Sequence, residues 1–240
     1  MQLSGKTILV TGGTDGIGLQ LARQLKAKGA TVITSGRNLE RVAATQAEGF
    51  EVIAVDLSTQ AGVDALLGGI GDRPIDVLIN NAGAGSDHDF REATPDLADN
   101  DASIFLNLNA PVHLITRLMP TLKARPEAMI VNVTSGLAIA PNAGGAVYCA
   151  TKAGLRSYTQ SLRAQLAGTN VHVLEALPPV VETKMTAGRA DKKMSAADCA
   201  AAFILAMEGN AKQANVGMVK VLQIVHSLSP ALARQIMLRF

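Results

Sequence analysis

Short apolar runs alternate with longer amphipathic segments along this chain. Runs such as Thr7–Val10, which are apolar almost without interruption, are typical of strands that are buried on both faces of a sheet. The predicted strands are Thr7–Val10, Thr31–Thr34, Val52–Val55, Val77–Ile79, Met129–Val133, Val171–Ala176 and Val216–Val221. The segments between them have helical periodicity and predict helices over Gly16–Lys28, Asn38–Glu48, Thr59–Leu67, Asp101–Lys123, Val147–Leu166 and Ala196–Met207.

This alternation of strands and helices predicts an α/β fold. Parallel strands need crossover connections, and right-handed crossovers place helices on both faces of the sheet. We therefore predict a doubly wound parallel sheet, the Rossmann fold, with about seven strands and helices on both faces. No linker, repeat or low-complexity tract interrupts the pattern, so residues 1–240 are predicted to form a single domain.

The charge balance narrows the range of partners. The 240 residues include 22 basic and 20 acidic side chains, which give a net charge of +2. A nucleic-acid-binding protein usually needs a clustered basic face, so no nucleic acid is expected. Two cysteines, Cys149 and Cys199, and four scattered histidines lack ligand spacing, so no metal is expected. No signal peptide or transmembrane segment is recognisable, and the predicted location is cytoplasmic.

A glycine-rich turn joins the first predicted strand to the first predicted helix. It reads Thr11-Gly12-Gly13-Thr14-Asp15-Gly16-Ile17-Gly18, a G-x-x-x-G-x-G spacing. Glycines permit a tight turn and let backbone N–H groups approach a pyrophosphate, to which the helix N-terminus adds partial positive charge. The turn predicts a dinucleotide site, with an ordinary strand-to-helix turn as the alternative.

The end of the second predicted strand bears on the choice of cofactor. NAD-preferring proteins place an acid there for the ribose 2′-hydroxyl, whereas this chain has Gly36 and then Arg37, which could pair with a 2′-phosphate. Asp15 argues the other way, because its carboxylate would repel that phosphate. Arg37 could instead be a solvated arginine stacked on adenine, and Asp56 either accepts from the adenine amine or forms a turn. We predict NADP(H) as the favoured cofactor, with NAD(H) possible.

Ser135, Tyr148 and Lys152 supply the chemistry of a proton transfer. Tyr148 and Lys152 lie four residues apart on a predicted helix and share a face. A free tyrosine has a pKa of about 10, and an adjacent ammonium lowers it by favouring the phenolate, as would a cationic oxidised nicotinamide. The Ser135 hydroxyl could hold a substrate oxygen. Alone, Tyr148 and Lys152 could be a helix surface pair, but their place after the glycine-rich turn favours catalysis.

Taken together, these motifs resemble the short-chain dehydrogenase/reductase family. The matching segments cover about the first three-quarters of the chain and are Thr11–Gly18, Asn80-Asn81-Ala82-Gly83, Asn107, Ser135 and Tyr148-Cys149-Ala150-Thr151-Lys152. The resemblance implies that Tyr148 is the general acid/base, that Lys152 lowers its pKa and binds the nicotinamide ribose, and that Ser135 orients the substrate. It also implies that Asn107 holds a water that links Lys152 to solvent.

The predicted cofactor site extends beyond these motifs. Its residues are Gly12, Thr14, Asp15, Gly16, Ile17, Gly18, Arg37, Asp56, Leu57, Asn80, Ala82, Gly83, Tyr148, Lys152, Pro178, Val181 and Thr183. One departure from the family concerns Pro179, because the family usually has Pro-Gly after the sixth strand. Proline fixes φ at about −65° and removes an N–H. We therefore expect a stiffer and slightly shifted loop that still binds the cofactor.

The predicted function is an NAD(P)(H)-dependent oxidoreductase of the alcohol dehydrogenase or carbonyl reductase type. It would transfer a hydride between nicotinamide and a small-molecule carbonyl or alcohol. The alternatives are a cofactor-binding scaffold without catalysis, against which the intact Ser135, Tyr148 and Lys152 argue, and an epimerase or dehydratase on the same fold. The resemblance also implies a homodimer or homotetramer, with the long helices Asp101–Lys123 and Val147–Leu166 at an interface.

Two further segments leave the substrate and the assembly open. The segment Lys184–Ser195 carries four positive charges against one negative charge, so it either attracts an anionic substrate or is a solvated loop. The tail from Ile224 to Phe240 has an apolar stripe compatible with a helix. That helix would pack on its own domain or a sister subunit, or it would cover a neighbour's pocket or touch a membrane surface.

Overall fold

The computed structural model describes residues 1–85, 88–92, 94–187 and 193–239. Within them, seven parallel strands form one sheet in the order β3-β2-β1-β4-β5-β6-β7. The strands are β1 Thr7–Val10, β2 Thr31–Gly36, β3 Glu51–Ala54, β4 Val77–Asn80, β5 Ala128–Val133, β6 Val171–Leu177 and β7 Gln213–Asn215. The strand order reverses between β1 and β4, which is where a doubly wound sheet opens a crevice at the carboxyl ends of its strands.

Helices cover both faces of this sheet, as the sequence predicts. They are α1 Gly16–Ala27, α2 Leu39–Ala47, α3 Gln60–Ile70, α4 Leu97–Ile104, α5 Ala110–Lys123, α6 Ala146–Gln165, α7 Ala196–Glu208, α8 Val219–Leu228 and α9 Pro230–Met237. One core includes Leu21 of α1 and Phe203 of α7, and the other includes Leu114 of α5 and Leu162 of α6. The uninterrupted apolar runs of β1 and β4 are therefore buried from both sides.

The prediction of a seventh strand at Val216–Val221 is wrong. The strand β7 is the polar segment Gln213–Asn215, and helix α8 begins at Val219. Gly217 has a positive φ of 56°, which ends the extended chain between the two. From Val219 onward the apolar positions follow a helix instead of a strand, so the β-branched residues of this segment misled the prediction.

The helix predicted over Asp101–Lys123 begins earlier and is not regular. Helix α4 starts at Leu97, where the Asp96 carboxylate accepts from the backbone N–H of Ala98. A π-helical turn, Phe105–Asn109, then separates α4 from α5. Pro111, which has no N–H, cannot donate to the carbonyl of Asn107 four residues before it. The missing donor accounts for an irregular turn at this point of the helix.

The C-terminal segment forms two helices that leave an apolar face in solvent. Val219 and Leu222 of α8 pack beside Gly136, close to the end of β5. The side chains that face away are exposed, up to 82% for Leu228, and are Val221, Ile224, Leu228, Leu232, Ile236 and Leu238. Among the described residues, no helix is long and apolar enough to cross a membrane.

Candidate functional site

A cavity of about 700 Å³ lies at the carboxyl ends of the central strands. Its walls come from the segments that follow the first six strands. These segments include Gly12 after β1, Arg37 after β2, Asp56 after β3, Ala82 after β4, Ser135 after β5 and Pro178 after β6. Tyr148 and Lys152 of α6 close one end, and residues of α2 close the other. The fold thus collects in one crevice residues that are more than a hundred positions apart in the sequence.

The glycine-rich turn is packed so closely that its backbone forms the cavity floor. Gly12 has a positive φ of 66°, and a Cβ there would lie 2.9 Å from the Cα of Ala82. A Cβ on Gly18 would lie 2.2 Å from the carbonyl oxygen of Gly12. Asp15 caps α1, because its side chain accepts from the N–H of Gly16 at 2.8 Å. A closely packed glycine-rich turn before a helix N-terminus fits the pyrophosphate of a dinucleotide.

The end of β2 has no room for an acidic side chain. A Cβ on Gly36 would lie 2.4 Å from the hydroxyl oxygen of Thr14, so this position cannot carry the carboxylate that binds a free ribose 2′-hydroxyl. Arg37 beside it is 63% exposed and lies 3.4 Å from the carboxylate of Asp56. At the position after β2 the cavity is therefore lined by the exposed Arg37, which is paired with Asp56, and not by an acid on Gly36.

Arg41 is a second cation at this end, and the sequence analysis missed it. Its guanidinium lies 2.8 Å from the Asp15 carboxylate, and both residues line the cavity. This ion pair neutralises the negative charge of Asp15, which was expected to repel a 2′-phosphate. The sequence did contain a sign that Arg41 belongs to the site, since it follows Arg37 by four residues at the start of a predicted helix. That the Arg41 side chain points toward Asp15, however, depends on how α2 packs.

Ser135, Tyr148 and Lys152 meet at the other end of the cavity. Lys152 is buried and its ammonium donates to the carbonyl of Val133 at 2.9 Å. The same ammonium lies 5.7 Å from the centre of the Tyr148 ring. Ser135 precedes a short 3₁₀ turn, and its hydroxyl accepts from the N–H of Leu137 at 3.1 Å. The structure thus brings three of the four predicted catalytic residues to one wall.

The pKa of Tyr148 shifts in the direction opposite to the prediction. Burial raises the pKa of Tyr148 to about 12, and its hydrogen bond with Ser135 only partly opposes this. Burial also lowers the pKa of Lys152 to about 8. The prediction rested on the attraction of the phenolate to the Lys152 ammonium and to an oxidised nicotinamide, whereas in the folded chain the loss of solvent around both side chains dominates.

Two predicted site residues lie beneath the cavity instead of lining it. Asn107 is fully buried in the π-helical turn, and its side chain bonds both to the carbonyl and to the N–H of Ala84. Asn80 is also buried, and its amide donates to Asn132 at 2.8 Å. Asn107 therefore supports the backbone at Ala84, whereas Asn80 joins β4 to β5 through the side chain of Asn132. Asn81, which the prediction omitted, does line it, and its amide donates to the carbonyl of Thr11 at 3.0 Å.

The remaining predicted cofactor residues all line the cavity. They are Gly12, Thr14, Asp15, Gly16, Ile17, Gly18, Arg37, Asp56, Leu57, Ala82, Gly83, Pro178, Val181 and Thr183. Gly16 lies close to Thr183, since a Cβ on Gly16 would lie 2.9 Å from the Thr183 side chain. The phosphate end and the nicotinamide end predicted from the sequence are therefore parts of one continuous cavity.

The loop after β6 is anchored at both ends. Pro179 packs against Gly217, where a Cβ would lie 3.3 Å from its ring. Val181 and Met194 form a parallel bridge, in which the N–H of Glu182 donates to the carbonyl of Met194 at 2.8 Å. Lys184, from the segment with the predicted excess of positive charge, lines the cavity. Lys193 of the same segment donates to the carbonyl of Thr186. The charged positions 189, 191 and 192 lie outside the described residues.

Comparison with known proteins agrees with this geometry. The sequence model of the family described as short chain dehydrogenase matches residues 6–194. The uncharacterized oxidoreductase DltE of Bacillus subtilis (strain 168) is 41% identical over 197 residues, which are 80% of this chain and 78% of that protein. Serine 3-dehydrogenase of Rhizobium radiobacter is 34% identical with the same coverage. A short chain dehydrogenase from Burkholderia cenocepacia J2315, solved in complex with NADP, has a TM-score of 0.88 at 26% identity and covers 99% of both chains.

Proposed function

Because this chain belongs to the short-chain dehydrogenase family, we propose that it is an NADP(H)-dependent oxidoreductase that interconverts a carbonyl and an alcohol. The observation that carries the proposal is the meeting of Ser135, Tyr148 and Lys152 at one end of a cavity whose other end is a glycine-rich turn. The cofactor would supply or accept the hydride. The proposal treats residues 1–240 as one domain that contains both the cofactor site and the substrate site.

In this proposal Tyr148 moves the proton. Its raised pKa of about 12 keeps the phenol protonated at neutral pH, which is the state that can donate to the oxygen of a carbonyl during reduction. Ser135 would hold that oxygen with its hydroxyl and stabilise the charge that develops there. Lys152, charged below a pKa of about 8, would restore the proton and bind the nicotinamide ribose.

Asn107 has a supporting role in the proposal. Its side chain is committed to Ala84 and Ser103, at 2.8 and 3.1 Å. The backbone carbonyl of Asn107 cannot accept from Pro111, and in the proposal this carbonyl would hold a water on the way from Lys152 to solvent. The proton relay would thus use the backbone of Asn107, while its side chain holds the loop after β4.

Arg37 and Arg41 support the choice of NADP(H) over NAD(H). Both line the cavity beside Gly36, where an acid does not fit. A 2′-phosphate would bond one or both guanidinium groups, each of which has a carboxylate partner that it can exchange. The Burkholderia neighbour was solved with NADP, which agrees with this choice.

The test is a panel of carbonyls and alcohols assayed with NADPH and with NADH by the absorbance of the reduced nicotinamide. Serine belongs in the panel, because one relative is named for it. We expect turnover with NADPH, and a loss of about 10²- to 10⁴-fold in kcat for Tyr148→Phe with cofactor binding retained. Tight NADPH binding without net turnover of any compound would instead indicate a scaffold or an epimerase or dehydratase.

The cofactor choice has its own matched pair of variants. Arg41→Ala should raise KM for NADPH by about 10- to 100-fold and leave KM for NADH unchanged, because only the phosphorylated cofactor loses a charged hydrogen bond. Arg117→Ala, which removes an exposed arginine paired with Asp64 away from the cavity, should change neither value. Equal effects of Arg41→Ala on both cofactors would contradict the assignment.

A further inference from the structure

Helix α6 carries a row of polar side chains that face the sheet. Tyr148, Lys152, Arg156, Thr159 and Arg163 recur every three or four residues and so share one face of the helix. Thr159 accepts from the buried amide of Asn132 on β5 at 2.9 Å, and Arg163 donates to the carbonyl of Val173 on β6 at 2.9 Å. These contacts tie α6 to β5 and to β6 at several points along its length.

The strongest contact of this row is made to Glu175 of β6, which is fully buried. Arg156 donates to both carboxylate oxygens, at 2.8 and 3.0 Å. One of these oxygens also accepts from the hydroxyl of Thr134 at 3.0 Å, and the other accepts from the amide of Gln213 at 2.9 Å. A buried carboxylate is stable only when it is paired and bonded in this way.

The partners of Glu175 are adjacent to the proposed reacting groups. Thr134 directly precedes Ser135, and it is itself buried. Arg156 lies one helical turn after Lys152 and two turns after Tyr148. Glu175 does not line the cavity, but one carboxylate joins the segment that carries the serine to the helix that carries the tyrosine.

We propose that Glu175 is a positioning residue, which through Arg156 and Thr134 sets the distance between Tyr148 on α6 and Ser135 at the end of β5. The kinetic part of this inference rests on the proposed function. Reacting groups must be held to within about 1 Å of their productive positions. Loss of the contacts between Glu175 and α6 should therefore lower kcat more than it weakens substrate binding.

The first test compares two variants of the same helix-to-sheet contacts. Glu175→Gln should lower kcat by about 10- to 100-fold and leave KM for NADPH unchanged. Arg163→Met is the matched control, because it removes another arginine that joins the same face of α6 to β6 but lies farther from Tyr148. Its kcat should stay at the wild-type value. Equal losses of kcat in both variants would overturn the positioning role.

A double variant tests whether Glu175 acts through Arg156. If one ion pair carries the effect, combining Arg156→Gln with Glu175→Gln should lower kcat no further than the larger of the two single losses. Multiplied losses would overturn the coupling. Should Glu175→Gln fail to fold, Glu175→Met combined with Arg156→Met replaces the pair by apolar side chains that a core accepts, and it should lower kcat to the same extent.

A second readout does not depend on turnover. The chain has two tyrosines and no tryptophan, so in a Tyr158→Phe background the ultraviolet titration of phenol reports Tyr148 alone. Burial holds the pKa of Tyr148 at about 12, and Glu175→Gln should lower it by admitting water beside a loosened α6, whereas Arg163→Met should not. An unshifted phenol in Glu175→Gln overturns the positioning role. If the wild-type protein reduces no carbonyl, the proposed function fails and this titration alone decides the inference.

Discussion

Replacing Lys152 by methionine should make the protein more stable and inactive. The folded chain lowers the pKa of Lys152 from its ordinary value of about 10.4 to about 8 by burying it. At 1.36 kcal/mol per pKa unit, keeping the charged form in the folded state at neutral pH costs roughly 3 kcal/mol. Methionine removes this cost but gives up the hydrogen bond to Val133, worth about 1 kcal/mol. The expected gain in the free energy of unfolding is therefore about 2 kcal/mol.

The pH dependence of the free energy of unfolding distinguishes the cost of burying the charged Lys152 from a general packing effect. Because the folded pKa is lowered, the unfolded chain binds more protons than the folded chain between about pH 8 and about pH 10.4. The free energy of unfolding of the wild-type protein should therefore rise with pH in this window by up to roughly 3 kcal/mol. Lys152→Met lacks this contribution, so its advantage should vanish by about pH 10.

The assay is urea unfolding followed by circular dichroism at about pH 7 and about pH 10. Lys123→Met, which replaces an exposed lysine at the end of α5, serves as the control and should keep the wild-type dependence on pH. Two results would refute the reasoning: a Lys152→Met protein less stable than wild type at neutral pH, or a difference between the two proteins that does not change with pH.

Three further predictions concern turnover and the cofactor turn. The kcat for carbonyl reduction should fall as pH rises through about 8, because Lys152 loses its proton there while Tyr148 stays protonated to about 12. A kcat that stays constant up to pH 10 would contradict this prediction. Gly18→Ala should lower the free energy of unfolding by about 1–3 kcal/mol and abolish NADPH binding in a fluorescence titration, since the new Cβ would meet the Gly12 carbonyl. The control Gly68→Ala, whose Cβ would point into open space, should leave binding intact. Pro111→Ala should lower kcat without changing KM in steady-state assays, because the restored N–H competes for the carbonyl of Asn107; an unchanged kcat would argue against a relay at that carbonyl.

The parts of the fold that the sequence predicts correctly are those where a local pattern and burial agree. Apart from Thr7 and Asn80 at their ends, the strands β1 and β4 are apolar, because helices cover both of their faces. At β7 the two signals disagree, since the strand itself is polar and its Gln213 bonds Glu175, while the valines that follow it belong to a helix. Edge strands and helix starts after a glycine depend on tertiary contacts that no local window contains.

In the candidate site, too, the sequence predicts correctly what a local motif determines and fails where the outcome depends on packing. Residues within a motif, such as Gly12 and Lys152, lie where the motif places them, because the turn and the helix are set by short-range sequence. The roles of Asn107 and Arg41 depend on which way a side chain points after packing, so the first is beneath the cavity and the second is in its wall. The pKa of Tyr148 was predicted in the wrong direction for a related reason, because desolvation is a property of the whole fold.

The bridge between Val181 and Met194 leaves one part of the loop after β6 free to vary in length. Thr183 and Lys184, which follow Val181, line the cavity and belong to the site. Backbone hydrogen bonds across the bridge hold the two ends of the segment at a fixed separation. Doubling the length of such a loop costs only about 0.6 kcal/mol in closure entropy. New segments inserted between Ala187 and Met194 would therefore change which molecules enter, without rebuilding the sheet, the helix α6 or the contact of Thr183 with the phosphate turn.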